Sequence, residues 1–413
     1  MGKTMQTAPV TEKKIHWLNT AFLTVSPIAA VILVPIYYAQ VGFSWGPLVL
    51  MSILWWATGL GITAGYHRLF SHKSYKATWP VRLGYAILGG AAWQNSAIVW
   101  CSDHRIHHRE VDTDLDPYNA QRGFWWSHMG WVMVEDSGAR DFANVRDLMK
   151  DPICAWQHKY YMPITVAFNV GLPLCVGLLT GDVWGMLLMG GLVRVVLVHH
   201  FTFCINSLAH MFGSQRWSTG NSSRDSWWLS FFTFGEGYHN YHHAFETDYR
   251  NGVEWYHFDP GKWLIWSLTK FRLASDVRRV PRDVVIRKRF EERREEVGSW
   301  WNAWQEKVEQ WGEEASAMSD EMRRKGEALR LRLSERAQQC EAQLEEQLAE
   351  FQAARKALQI ARRERATLAA DNRPSMRHLR ELRGRMTETR RAAESAMREW
   401  ERAMGECFKL AVA

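Results

Sequence analysis

The sequence predicts an all-α membrane protein with four transmembrane helices in two hairpins, a helical cap on one side of the membrane and a long charged helical tail. Three observations predict it. Four apolar runs of near-spanning length come as two pairs. The short links inside each pair carry no Lys or Arg. After residue 282 the chain switches to Glu, Arg, Ala, Gln and Leu.

Residues 1–16 are polar and carry Lys3, Lys13 and Lys14; from His16 to His67 there is no Lys, Arg, Asp or Glu. Two spans fit there, 17–38 and 46–66, each near the roughly 20 residues that a bilayer core requires. The apolar stretch is too long for a cleaved leader and lacks a small-residue cleavage site, so it reads as a retained span. A second pair, 161–179 and 183–203, is joined at Gly181-Asp182. Positive charge lies before the first span, in the middle segment and in the tail. The positive-inside rule then puts both termini and the middle segment on the cytoplasmic side. The stretch 81–100 is apolar but interrupted by Gly89, Gly90, Gln94, Asn95 and Ser96. A fifth span there would throw His67 and His104 to opposite faces, so an interfacial or re-entrant helix is expected. The membrane domain is expected to run over 17–282.

Residues 283–413 form the tail. Strong helix formers dominate it, and apolar residues recur at three and four: Trp304, Val308, Trp311, Ala315, Met318, Met322, then Leu333, Ala337, Cys340, Leu344, Leu348 and Phe351. That is coiled-coil-like spacing, which predicts self-association or the docking of a partner. Asn372-Arg373-Pro374 should break the helix, because Pro lacks the N–H and restricts its predecessor. A second helix from Ser375 to about Leu410 either folds back or continues.

Composition excludes several classes. The mean hydropathy of −0.31 averages two unlike halves. The net charge of +7 has its basic residues interleaved with acids, with no recognition motif or zinc finger, so nucleic acid is not an expected partner. The six cysteines are scattered without a CxxC, which argues against a disulfide framework or a thiolate-held metal. Twenty-three Trp suit membrane interfaces.

Of 16 His, nine form three clusters and an outlier: His67 and His72; His104, His107 and His108; His239, His242 and His243; and His210. At about 100° per residue, HxxHH projects three imidazoles from one helix face, expected to point toward one centre. HxxxxH sets its members roughly 140° apart, so either the helix is distorted or the two rings reach different parts of a site. Nine imidazoles exceed what one metal can use, so two metals follow. Zinc has no redox chemistry, whereas a nitrogen-rich two-metal site opening onto acyl chains favours iron activating O₂. Carboxylates should fix the imidazole tautomers. Asp103 and Glu236 come first, followed by Glu110, Asp112, Asp114 and Asp116. His16, His128, His158, His257, His378 and the pair His199-His200 read as structural or interfacial.

At these residues the chain resembles a known family. GYHRLFSHK (65–73), DHRIHH (103–108) and GEGYHNYHH (235–243) look like the three histidine boxes of the membrane acyl-CoA desaturases, the stearoyl-CoA (Δ9) type. DPYNAQRGFWWSHMGW (116–131) and NSLAH (206–210) resemble further family segments, and the likeness runs from about residue 17 to 281. It implies that His67, His72, His104, His107, His108, His210, His239, His242 and His243 hold two iron ions, with Asn206 reaching one through a water. It places Gln94, Trp100 and Thr202 at the bend of an acyl tunnel and Arg122 near the carrier headgroup. Phe203 stands where the animal enzymes have Trp. The implied activity is insertion of a cis double bond, Δ9 by family expectation, with O₂ and two externally supplied electrons. The substrate is an acyl chain on CoA or another carrier, and the electron donor is of ferredoxin, flavodoxin or cytochrome type. A membrane di-iron hydroxylase or alkane monooxygenase is the alternative; the i+5 spacing of the first box and the NSxxH element favour desaturation.

Overall fold

The computed structural model describes residues 13–136, 142–295, 320–368 and 372–412. The chain divides into two compact units, Met1–Arg279 and Val280–Ala413.

Among the described residues of the first unit, four helices are long and apolar enough to cross a membrane: Trp17–Val41, Trp45–Ser71, Tyr161–Thr180 and Val183–Met211. The second and fourth run past their expected ends at 66 and 203. They therefore carry His67 and His210 on the same continuous helices that anchor the protein. The linker of the second pair is tied to the first span, where Tyr37 Oη donates to Asp182 Oδ2 at 2.5 Å.

The stretch expected to be re-entrant is two helices, Trp79–Ala91 and Ala97–Glu110. The first has 13 residues, about 20 Å of rise, short of a bilayer core of about 30 Å. It does not cross, and His67 and His104 meet. It packs against the second span through small residues. A Cβ on Gly65 would sit 2.6 Å from the Tyr85 Cβ, so the two backbones approach closely only because Gly occupies that position. The reversal after Ala91 is strained at Trp93 and Asn95, with φ of 59° and 75°. It is pinned by the fully buried Arg194 of the fourth span, which donates to Ala91 O at 2.9 Å and to Asn169 Oδ1. The start of the first span is held beside this region as well. Lys13–Ile15 pairs antiparallel with Val134–Asp136, and Asn19 Nδ2 donates to Val132 O at 3.1 Å.

In the second unit a helix over 282–295 accompanies two long helices, Asp320–Thr367 and Met376–Val412. The break at 372–374 is where the sequence puts it, and the second helix folds back. Leu344, Leu348 and Phe351 are buried with Ala393, Met397 and Trp400, and the Phe290 ring meets Trp400 edge-on at 4.9 Å. Each large apolar side chain so buried contributes about 1.5–3 kcal/mol. The described part of the apolar seam is thus covered from within the chain. Trp304, Val308, Trp311, Ala315 and Met318, and the side chains of Met322 and Leu333, lie outside the described residues.

Candidate metal centre

The nine histidines converge as two abutting groups: His67, His72, His104, His108 and His242, and His107, His210, His239 and His243. Within each group the ligand atoms lie within 4.8 Å of one another.

Local structure explains the assortment. From Gly61 to Ser71 the second span is a π-helix, closed by His72 N donating to His67 O at 3.0 Å. Bonds from i to i+5 widen the turn and bring residues five apart back to one side. His67 and His72 therefore serve the same group, with ring centroids 4.8 Å apart; of the two readings of HxxxxH, distortion is the one realised. The HxxHH boxes behave differently from the expectation of one centre each. Positions i and i+4 lie about 40° apart, while i+3 falls about 60° to the other side. His104 and His108 accordingly enter the five-His group and His107 the four-His group, whereas His239 and His243 enter the four-His group and His242 the five-His group. Each box helix gives its pair to one centre and its third ring to the other.

The rings meet inside each group Nε2 to Nε2. His72 faces His104 at 2.8 Å, and His242 faces both His67 at 2.9 Å and His108 at 3.0 Å. In the second group His243 faces His107 at 3.2 Å and His239 at 3.1 Å, and His239 faces His210 at 3.0 Å. An imidazole nitrogen offers one proton or one lone pair, so it cannot satisfy two such neighbours by hydrogen bonding. Protonation does not resolve this either. Burial, then the neighbouring imidazoles, push His72, His104, His108, His242 and His243 well below the usual histidine range. Neutral, inward-aimed nitrogens suit a divalent cation about 2.1 Å from each, and five imidazoles exceed a tetrahedral set, which points to metals of higher coordination. The residues present therefore fit a metal in each group.

The outward nitrogens are held in turn. His107 Nδ1 meets the buried Asp116 Oδ1 at 2.9 Å, and that carboxylate also accepts from Tyr118 N and Asp112 N. Burial raises the Asp116 pKa, but His107 and these backbone donors hold it below the usual range. His210 Nδ1 meets Ser222 Oγ at 2.7 Å, and Ser222 Oγ donates to Asp112 Oδ1 at 2.6 Å. His67 Nδ1 lies 2.9 Å from Glu236 Oε2, off the ring N–H axis, so this contact is electrostatic rather than a linear hydrogen bond. Glu236 also accepts from Arg68 at 3.0 Å, from Asn251 and from Thr63. Although burial raises its pKa, His67 and Arg68 bring it down to about 2. Of the two carboxylates placed first on sequence, Glu236 is against a box histidine, and Asp103 is half-buried on the second-box helix. Asp116 and Asp112, placed lower, reach the cluster. Glu246, 3.4 Å from His108 Nδ1, carries no spacing signal that would have singled it out.

A cavity of about 390 Å³ adjoins both groups, lined by His67, His104, His107 and His239 among apolar and aromatic side chains. Gln94, Trp100, Thr202, Phe203 and Asn206 all line it. The first three are bonded together: Gln94 Nε2 donates to Thr202 Oγ1 at 2.9 Å, and Trp100 Nε1 to Gln94 Oε1 at 3.3 Å. Trp100 lies nearly parallel to His104 at 4.9 Å. Arg122 is not brought there; it is exposed, with its guanidinium 3.7 Å from the Trp126 ring centre. Tyr118 lines the cavity and its ring lies 4.8 Å from His107, a role not read from sequence. Two histidines set aside as structural or interfacial, His16 and His199, also line it. His199 Nε2 is bonded to Trp93 O at 2.9 Å. His128 pairs with His200 at 3.1 Å.

A model of the fatty acid desaturase family matches residues 12–275. A probable acyl-CoA desaturase of Schizosaccharomyces pombe is 44% identical over 258 residues, covering 62% of this chain and 54% of that protein. Acyl-CoA desaturase 1 of Saccharomyces cerevisiae is 40% identical over 279 residues, 66% of this chain and 53% of the relative. An sn-1 stearoyl-lipid 9-desaturase of Anabaena variabilis is 34% identical over 276 residues, 66% of this chain and 98% of the relative. The chain thus spans about half the length of the two yeast proteins and nearly all of the cyanobacterial one.

Proposed function

The chain belongs to the fatty acid desaturase family, and from that premise we propose that it is a di-iron acyl-CoA desaturase forming a cis Δ9 double bond. The observation that carries the proposal is the convergence of nine imidazole nitrogens, in two groups, on the wall of an apolar cavity.

His67, His72, His104, His108 and His242 would hold one iron and His107, His210, His239 and His243 the other, with Asn206 reaching one of them through a water. When bound, the irons supply the O₂-dependent oxidation: the acyl CH₂–CH₂ gives up two hydrogens, and O₂, two external electrons and two protons end as two waters. The chain's own residues do the rest. Asp116 keeps the His107 proton on Nδ1 and leaves Nε2 free to ligate. The bonded trio of Gln94, Trp100 and Thr202 stiffens the cavity wall beside His104, and a stiff wall makes the position of the double bond a matter of geometry. Phe203 shapes the same wall, packing 5.8 Å from His199. Apolar lining excludes water and receives the chain. Arg122, exposed and outside the cavity, suits the carrier headgroup rather than the chain. The electrons come from a separate ferredoxin-, flavodoxin- or cytochrome-type protein, and both termini and the site face the cytoplasm.

The test is product analysis. Purified, iron-loaded protein with a reducing donor and O₂ is given labelled stearoyl-CoA, stearoyl carrier protein or stearoyl lipid, and products are read by gas chromatography–mass spectrometry. Oleate from the CoA ester is expected. A hydroxy-acid product refutes desaturation, and turnover of the lipid alone refutes the CoA carrier.

A further inference from the structure

The helical hairpin of the second unit is electrically polarised. Between Arg355 and Arg391, around its turn, twelve Lys and Arg stand against four Asp and Glu, a balance of 12 − 4 = +8. The whole chain carries +7, so all of its net positive charge resides in this distal half. In the proximal half, over 327–350 and 394–406, ten acids stand against five bases, a balance of −5. Acids of the proximal half are engaged by bases, Glu406 by Arg336 within it and Glu401 by Arg289 of the helix over 282–295. At the distal end Arg362, Arg363, Arg380 and Arg383 are exposed and have no carboxylate partner among the described residues. Interleaved with them, Ile360, Leu368 and Met376 are 47%, 39% and 53% exposed.

We propose that this hairpin tip docks on an anionic lipid surface. Two features select lipid over other polyanions. Unpaired arginines meet phosphate headgroups, each Lys or Arg near an anionic surface adding to the affinity. Exposed aliphatic side chains among them can enter the headgroup–acyl boundary, whereas the phosphodiester backbone of a nucleic acid offers them no apolar phase. The first unit carries four helices long and apolar enough to cross a membrane, and a chain so anchored meets such a surface at high effective concentration. The inference does not depend on the reaction catalysed.

The test places an environment-sensitive fluorescent amino acid at Met376 in the full chain, reconstituted in nanodiscs with or without phosphatidylglycerol. Nanodiscs expose both faces, so the orientation of the termini does not enter. Docking gives a blue-shifted emission, quenched by nitroxide-labelled lipid, in anionic discs only. The signal should vanish at about 1 M salt, where the Debye length is about 3 Å. The variant R362Q/R363Q/R380Q/R383Q should lose it too, its contact weakened by roughly a thousandfold, with an unchanged far-ultraviolet circular dichroism spectrum. Equal emission in both discs overturns the proposal. So does a shift produced by single-stranded RNA or an acidic polypeptide but not by anionic lipid.

Discussion

Asp116 is the most informative single perturbation of the proposed centre. Its Oδ1 accepts from His107 Nδ1 and from Tyr118 N, and its Oδ2 accepts from Asp112 N at 3.1 Å. In Asp116→Asn the amide NH₂ would meet two donors on the Oδ1 side but only one on the Oδ2 side. The carbonyl therefore stays on His107, the tautomer is kept, and only the charge and one backbone bond are lost. Asp116→Ala leaves three donors without an acceptor, and the His107 proton is free to move to Nε2 and block ligation. Loss of such an outer partner costs 10–100-fold in metal affinity, about 1.4–2.7 kcal/mol. D116N belongs at the tenfold end and D116A at the hundredfold end. Because Asp116 touches only the four-His group among the box histidines, D116A should fall toward one iron per chain under chelator challenge while the wild type holds two. Iron by mass spectrometry against graded chelator reads this out, and Mössbauer spectra identify the iron that remains. Two irons retained in D116A at wild-type affinity would refute the assignment of His107 as a ligand oriented by Asp116.

Three further outcomes are expected. Gly89→Ala puts a methyl inside the Tyr66 ring, which cannot retreat because its hydroxyl accepts from Gln157 Nε2 at 2.8 Å. Overpacking of this kind costs about 1–3 kcal/mol, measurable as a lower melting temperature in detergent. Gln94→Leu leaves the Trp100 N–H and the Thr202 hydroxyl without their partner in the cavity wall; a mixture of double-bond positions at roughly tenfold lower conversion is expected, read by mass spectrometry of product adducts. Burial holds His257 down to about 4. As the pH falls the unfolded chain takes up that proton first, so the stability is complete above about 6.5 and drains away between about 6.5 and 4. His257→Phe keeps the stacking on Tyr238, 4.3 Å away, and should flatten that decline in thermal melts across the window. The effect is smaller than the full shift because the ring is half-exposed and screened by water.

What was legible in the sequence and what was not divide along a physical line. The spans were legible because a bilayer imposes length and apolarity on contiguous residues. The break at Pro374 was legible because a missing N–H is a local fact. The box histidines could be counted, but their assortment depends on helix type, and a π-helix over Gly61–Ser71 has no reliable signature apart from the i+5 spacing it accommodates. Outer contacts were least legible. Ser222 and Asp112 are 110 residues apart, yet together they hold His210, and no local pattern announces such a pair.

The split of each HxxHH box has a consequence for how the site is built. If a box served one centre, each metal would depend mainly on one helix. Because the helix Ala97–Glu110 and the helix His239–Ala244 each feed both groups, neither centre has its full ligand set until the two helices face each other in register. A shift of either helix by one residue turns it by about 100°, which would carry its i+3 ring toward the position of its pair and spoil both centres at once. The two proposed centres are therefore coupled through helix register. That coupling predicts that loss of His242, a member of the five-His group, disturbs iron retention in the four-His group through movement of His239 and His243, whereas loss of His72, which caps the separate π-helical segment Gly61–Ser71, leaves the four-His group loaded. Iron stoichiometry and Mössbauer spectra of His242→Ala and His72→Ala separate the two cases, and equal, single-iron loss in both would show that the centres assemble independently.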